Sequence, residues 1–166
     1  MENLDHRISH TIADFTQQSA FLRRVADVCA SQLLCFFFGI FVYHLILIGQ
    51  NGVPAWMFFI PVVVSWLMTF ALEYLIGRKR PFQELGKKLS VGMLWIPPSF
   101  PSAHATIAFS IAYILWNFGI SAVVVYGIAV AISLGRVAVR VHYVTDILAG
   151  AFVGTTVTYL MIHSML

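Results

Sequence analysis

Charge is what this chain has least of: Asp, Glu, Lys and Arg make up 10% of its 166 residues, against 60% hydrophobic residues. Soluble domains carry about a quarter charged residues, so the shortage excludes a water-exposed globular domain, and no nucleic-acid partner is expected. Cysteine is nearly absent. Cys29 and Cys35 lie six apart, which suits neither a CxxC redox pair nor a metal knuckle, and two free thiols are expected. The start, "MENLDHRISHTIADF", lacks the basic residues and short apolar run of a signal peptide, so the first span is expected to serve as the insertion signal. Internal repeats and low-complexity stretches are missing as well. What remains is the pattern of an all-α integral membrane bundle, a single domain over residues 1–166.

Apolar runs supply about five transmembrane helices. Residues 30–49 form an uncharged run of about the length that crosses a bilayer, and "QNGVP" then turns the chain. A second span runs from Trp56 to Ile76 with Pro61 tolerated inside it. Residues 105–135 carry no charge; the stretch is too long for one span, and "NFGI" at Asn117–Ile120 divides it in two. The last span covers Asp146–His163. Before all of these, residues 1–28 read as an amphipathic surface helix, with Ile8, Ile12, Phe15, Phe21, Leu22, Val25 and Val28 at helical spacing among charges. The polar stretch from Arg78 to Pro101 reads as a loop whose Leu94, Trp95 and Ile96 touch the interface.

Parity then sorts the chemistry. Two spans between His104 and Arg136 return the chain to one side, so every charged residue falls on a single membrane face. There "RKRP" closes the second span, Ser102-Ala103-His104 opens the third, and "GRVAVRVHYVTD" supplies Arg136, Arg140, His142 and Asp146. Guanidiniums beside two histidines and a carboxylate make an anion site with acid and base capacity. Arginine donates two parallel hydrogen bonds to phosphate and stays charged, and Ser102 at a helix start adds a hydroxyl and free amides. His142 and Asp146 are four apart, so the carboxylate can hold one ring nitrogen and leave the other as nucleophile. His104 can protonate the leaving oxygen.

Arg80-Pro81, Pro101-Ser102-Ala103-His104, and Gly135-Arg136 followed by His142 and Asp146 together resemble the type 2 phosphatidic acid phosphatase superfamily of membrane lipid phosphatases. The likeness covers roughly Glu73 to Gly150. It implies phosphomonoester or diphosphate hydrolysis without metal or other cofactor, through a phosphohistidine on His142 oriented by Asp146. It also implies His104 as general acid and Arg80, Ser102 and Arg136 as phosphate ligands. Three positions depart from the family pattern: Glu73 stands where a lysine is usual, Ala103 where glycine is common, and Gly135 where serine is common. No phosphate role passes to Glu73. Lys79, with Arg78 as the alternative, is the candidate for the missing positive charge, and Glu73 either pairs with one of them or has no functional role. Compact length, the surface helix, "RPF" at Arg80–Phe82 and the missing lysine look most like the bacterial undecaprenyl diphosphate phosphatases. Phosphatidic acid and phosphatidylglycerol phosphate would use the same residues.

Plainer readings stand beside these. His6, His10 and His163 suit the interface, His44 suits a structural bond inside the bundle, and Arg78, Lys79, Arg140, Lys87 and Lys88 could simply snorkel. A vanadium haloperoxidase would have a similar site but is soluble and larger. A non-enzymatic transport or assembly protein would need the charged face only as an anchor. Positive charge on the equipped face points to the cytoplasm, whereas the resemblance implies the outer or lumenal face. The expected partners are a lipid phosphate substrate and membrane lipids; the oligomeric state is left open.

Overall fold

A computed structural model describes residues 4–50, 52, 54–84 and 97–165. Lys87, Lys88, Leu94, Trp95 and Ile96 lie outside the described residues. All regular structure among those described is helical: α1 Leu4–Gln17, α2 Ala20–Asp27, α3 Leu33–Gln50, α4 Trp56–Ile76, α5 Pro81–Glu84, α6 Ala103–Asn117, α7 Ala122–Ala138 and α8 Val144–Met165.

The expected surface helix is in two pieces. The chain breaks at Gln18–Ser19, where Ser19 is extended, and α2 then runs through a π-helical turn at Val28–Gln32 into α3. Ala20–Gln50 is thus one continuous helical rod, still amphipathic in α2, where Arg23, Arg24 and Asp27 sit, and apolar through α3, and only α1 lies apart from the spans. Its physical reason is hydropathy: from Val25 onward nearly every residue but Asp27 is apolar or small, so nothing favours a return to the interface.

Three helical stretches, Ala20–Gln50, Trp56–Glu84 (α4 with the short α5 after its Gly77 cap) and Val144–Met165, are long and apolar enough to cross a membrane, and α7 is a shorter apolar helix. Shortest of the five crossing elements is α6, with 15 residues. It is also the core: Ala105, Ala108, Ile111, Ala112, Ile114 and Leu115 are fully buried, enclosed by α3, α4, α7 and α8. The expected turn after it exists. Gly119 adopts φ 86°, its N–H bonds Trp116 O at 2.9 Å, and Ile120 N–H reaches Leu115 O at 3.2 Å, so the left-handed residue closes α6 and reverses the chain.

Close approach of α6 and α8 depends on glycine. A Cβ on Gly150 would lie 2.5 Å from Ser102 O, and one on Gly154 would collide with Thr106 O. Small residues let backbones meet, and side-chain hydroxyls then join the helices where lipid offers no hydrophobic drive. Ser110 Oγ donates to Gly154 O at 3.1 Å, Thr69 and Thr106 share a bond of 2.8 Å, and Ser65 meets Thr158 at 3.4 Å. These contacts set the register in which α4, α6 and α8 present their site ends together.

Candidate active site

Each element delivers its side chain through a local device. Gly77, at φ 64°, caps α4 and turns the chain. Arg80 then precedes α5 and is tied by its N–H to Gln83 Oε1 at 2.9 Å. Its guanidinium sits in a cage of main-chain carbonyls: Nε donates to Pro97 O at 2.8 Å, Nη2 to Pro98 O at 3.2 Å and Nη1 to Val141 O at 3.1 Å. Proline suits this cage, because it cannot continue a helix and leaves its carbonyl free to accept. The cage aims Nη1 at His142 Nε2, 3.3 Å away.

His142 reaches the site from the turn after α7. Arg140 takes φ 62°, and the amides of Val141 and His142 both return to Arg136 O. The imidazole is 1% exposed, and its Nδ1 lies 2.8 Å from Ser99 O. A carbonyl only accepts, so Nδ1 carries the proton and Nε2 keeps its lone pair, facing Arg80. Burial first, then the Arg80 and Arg136 guanidiniums, hold this imidazole well below its ordinary value of 6.5. The ring is therefore neutral, with the Nε2 lone pair available.

Asp146 is fully buried at the start of α8. Sequence spacing pairs it with His142, and Oδ2 does lie 3.5 Å from Nδ1. The direct hydrogen bond, however, goes to Ser99 O, while Asp146 accepts from Tyr143 N–H at 2.8 Å and from Arg78 Nη1 at 2.8 Å. Asp146 therefore stands beside the ring as counter-charge more than as its hydrogen-bond partner.

Ser102 is fully buried and is the N-cap residue of α6, yet its hydroxyl has no partner among the described residues; Arg136 Nε is likewise buried and without a partner among them. Arg136 Nη1 donates to Ala30 O at 3.1 Å. Orphaned buried donors are costly unless something occupies them, and two of them on residues that flank a histidine suit an anion. His104, on the first turn of α6, is half-buried and in electrostatic reach of Arg136, His142 and Arg80. Gly135 explains its own departure from serine: a Cβ there would meet Ala30 N at 2.7 Å and Cys29 Cβ at 2.8 Å.

Not every candidate joins the group. Lys79 is exposed, and its carbonyl, which accepts from Ser99 Oγ at 3.2 Å, is the part that enters the frame. Glu73 is 3% exposed and in electrostatic reach of Arg80 and Asp146. Arg78 pairs with Asp5 and Asp146 and lies 4.0 Å over the Tyr143 ring. Arg140 pairs with Asp14 and meets His10 Nδ1 at 3.3 Å, pinning α1. The sequence alone did not single out Ser99, whose carbonyl orients the His142 ring, or Asp5; the proline-rich "PPSFP" was the available signal for the first. Among the described residues, no group of three or more His, Cys, Asp and Glu side chains forms a metal-ligand set.

This architecture is shared. Residues 54–166 match the family model described as PAP2 superfamily, and no curated protein sequence matches the chain. The crystal structure of a transmembrane PAP2-type phosphatidylglycerolphosphate phosphatase from Bacillus subtilis is similar with a TM-score of 0.70 at 21% identity, covering 97% of this chain and 84% of that one. Aquifex aeolicus LpxE is similar with a TM-score of 0.73 at 18% identity, covering 98% of this chain and 96% of that one. With its arginines, two histidines and buried aspartate gathered at one end of a membrane bundle, the chain belongs to the PAP2 superfamily.

Proposed function

We propose that the chain is a lipid phosphate or diphosphate phosphatase that works at the membrane interface through a phosphohistidine. The observation that carries this is the tautomer of His142: Ser99 O holds Nδ1–H, and the Nε2 lone pair faces Arg80. Nε2 attacks phosphorus, the bond from phosphorus to the bridging oxygen breaks, and His104 gives that oxygen its proton. Arg80, Ser102 and Arg136 hold the phosphoryl oxygens, with the two orphaned donors satisfied by them. Water then cleaves the P–N bond, giving its proton to His104 and releasing phosphate and neutral Nε2. Asp146 balances the positive charge that the ring carries in between.

A lipid-borne substrate is supported by an apolar groove of about 390 Å³ between α3, α4 and α6, lined by Leu34, Phe38, Phe59, Val62, Trp66 and Ile107. Ile107 lies one turn from His104 on α6, and Leu34 one turn from Ala30, which holds Arg136. A chain attached to a phosphate at His142 would enter the groove at that end. For the lipid itself, the favoured reading is a polyprenyl diphosphate such as undecaprenyl diphosphate, on the "RPF" sequence and the missing lysine. Phosphatidylglycerol phosphate is the second reading, favoured by the Bacillus subtilis likeness; phosphatidic acid stands behind it.

The test is phosphate release by purified protein in detergent, with chelator present, from undecaprenyl diphosphate, phosphatidylglycerol phosphate and phosphatidic acid. Release from the diphosphate in preference to the others is expected. Release that requires added metal contradicts the mechanism, and no release from any of the three favours a non-enzymatic protein.

A further inference from the structure

Helix α1 is turned against its own hydropathy. Leu4, Ile8 and Phe15 are exposed, whereas the face buried against the bundle is Asp5, Ser9, Ala13 and Thr16. In a membrane that is the stable arrangement, because lipid receives the apolar side, and it leaves a polar stripe directed at the start of α8. Ser9 Oγ accepts from Val144 N–H at 3.0 Å, and Asp5 Oδ1 accepts from Thr145 N–H at 3.0 Å. Two of the free amides of α8 are thus capped in trans by α1. Asp5 Oδ2 also accepts from Thr145 Oγ1 at 2.5 Å and from Arg78 Nη2 at 2.7 Å. Burial alone would raise the Asp5 carboxyl, but the bonds from Thr145 and Arg78 outweigh it and hold it below its usual range.

Arg78 is therefore shared. Its Nη1 bonds Asp146 Oδ1 at 2.8 Å while its Nη2 bonds Asp5. An arginine bonded to Asp146 alone would cancel the charge that His142 needs when it becomes phosphorylated. With Asp5 on its other side, the group Asp5, Arg78 and Asp146 keeps a net charge of −1. The geometry points to Asp5 as a positioning residue for hydrolysis, holding Arg78 and the start of α8 so that Asp146 retains its counter-charge for His142. This inference rests on the phosphohistidine reading.

Asp5→Asn tests it, since an amide oxygen can still accept from Thr145 N–H while the charge is lost. Charged and titratable groups facing His142 are Arg80, Arg136, His104, Arg78 and Asp146; buried Glu73 faces Arg80 and Asp146 from α4, and Tyr143, His6 and Glu84 adjoin Arg78 and Asp5. With those unchanged, Asp5→Asn leaves the trio neutral. It is expected to lower kcat by roughly tenfold with KM held and to move the acid limb of the pH profile down. Asp5→Asn combined with Arg78→Gln returns the trio to −1 and is expected to recover kcat and the limb, while Arg78→Gln alone moves the limb up. Thermal unfolding of each variant in detergent separates lost folding from lost charge. A kcat and acid limb unchanged in Asp5→Asn, a loss carried by KM or by unfolding, or a double variant no better than Asp5→Asn would overturn the inference. Turnover by wild type that survives His142→Ala would instead overturn the reading beneath it.

Discussion

At the scale of single residues, protonation decides what His142 can do. A protonated imidazole has no lone pair at Nε2, so burial and the neighbouring guanidiniums, by holding its pKa well below 6.5, keep the proposed nucleophile unprotonated through neutral pH. The acid limb of kcat/KM in the free enzyme is therefore expected below 6.5; a pH profile of initial rates with the limb above that value contradicts the depressed basicity of His142. Stability follows the same sign. Unfolded His142 takes up a proton near pH 6.5 and the folded ring does not, so its contribution is present above 6.5 and lost as pH falls below it. His104 has a separable task. His104→Ala is expected to lower turnover of a lipid monophosphate by roughly 10²- to 10⁴-fold, and a substrate with a good leaving group, such as a nitrophenyl phosphate ester, should recover much of that loss because its oxygen leaves without a proton.

At the scale of elements, the glycines of α8 and α7 carry the site into register. Gly154→Ala sets a Cβ against Thr106 O, main chain that cannot rotate away, and is expected to cost about 1–3 kcal/mol, measured as a lower unfolding midpoint in detergent. Gly135→Ser tests the family departure: the hydroxyl common elsewhere has no room beside Ala30 and Cys29, so the substitution should lower activity where a simple return to pattern would raise it. Much of this level was legible beforehand. Trp56–Ile76 was readable as a span because apolar length is set by bilayer thickness, and Asn117–Ile120 as a turn because Gly119 supplies a left-handed residue. The grouping of His104, Arg136, His142 and Asp146 was readable because their side chains carry charge or exchange protons, and the fold brings them together. The Ser99, Pro97 and Pro98 carbonyls were not, since a main-chain acceptor leaves no mark in residue type. Nor was the inward polar face of α1, because an amphipathic pattern states that two faces differ without saying which one meets protein.

At the scale of the molecule, the reading of five crossings predicts that the chemistry lies on one side of the membrane and that the other is plain. With Cys29 and Cys35 replaced, Arg7→Cys and Ser121→Cys, both at exposed positions, are expected to react with an impermeant thiol reagent from opposite sides of the membrane in intact cells. Labelling of both from one side would break the parity on which the site depends. If parity holds, His104 and His142 share an interface that a lipid headgroup reaches while its tail stays in the bilayer.

Rapid quenching with a lipid substrate labelled with ³²P at its terminal phosphate tests the covalent step on His142 most directly. The expected result is label on the protein that is stable to alkali, labile to acid, and absent from His142→Ala. Turnover of the labelled lipid by a quenched enzyme that carries no such label, or label that persists in His142→Ala, would contradict it.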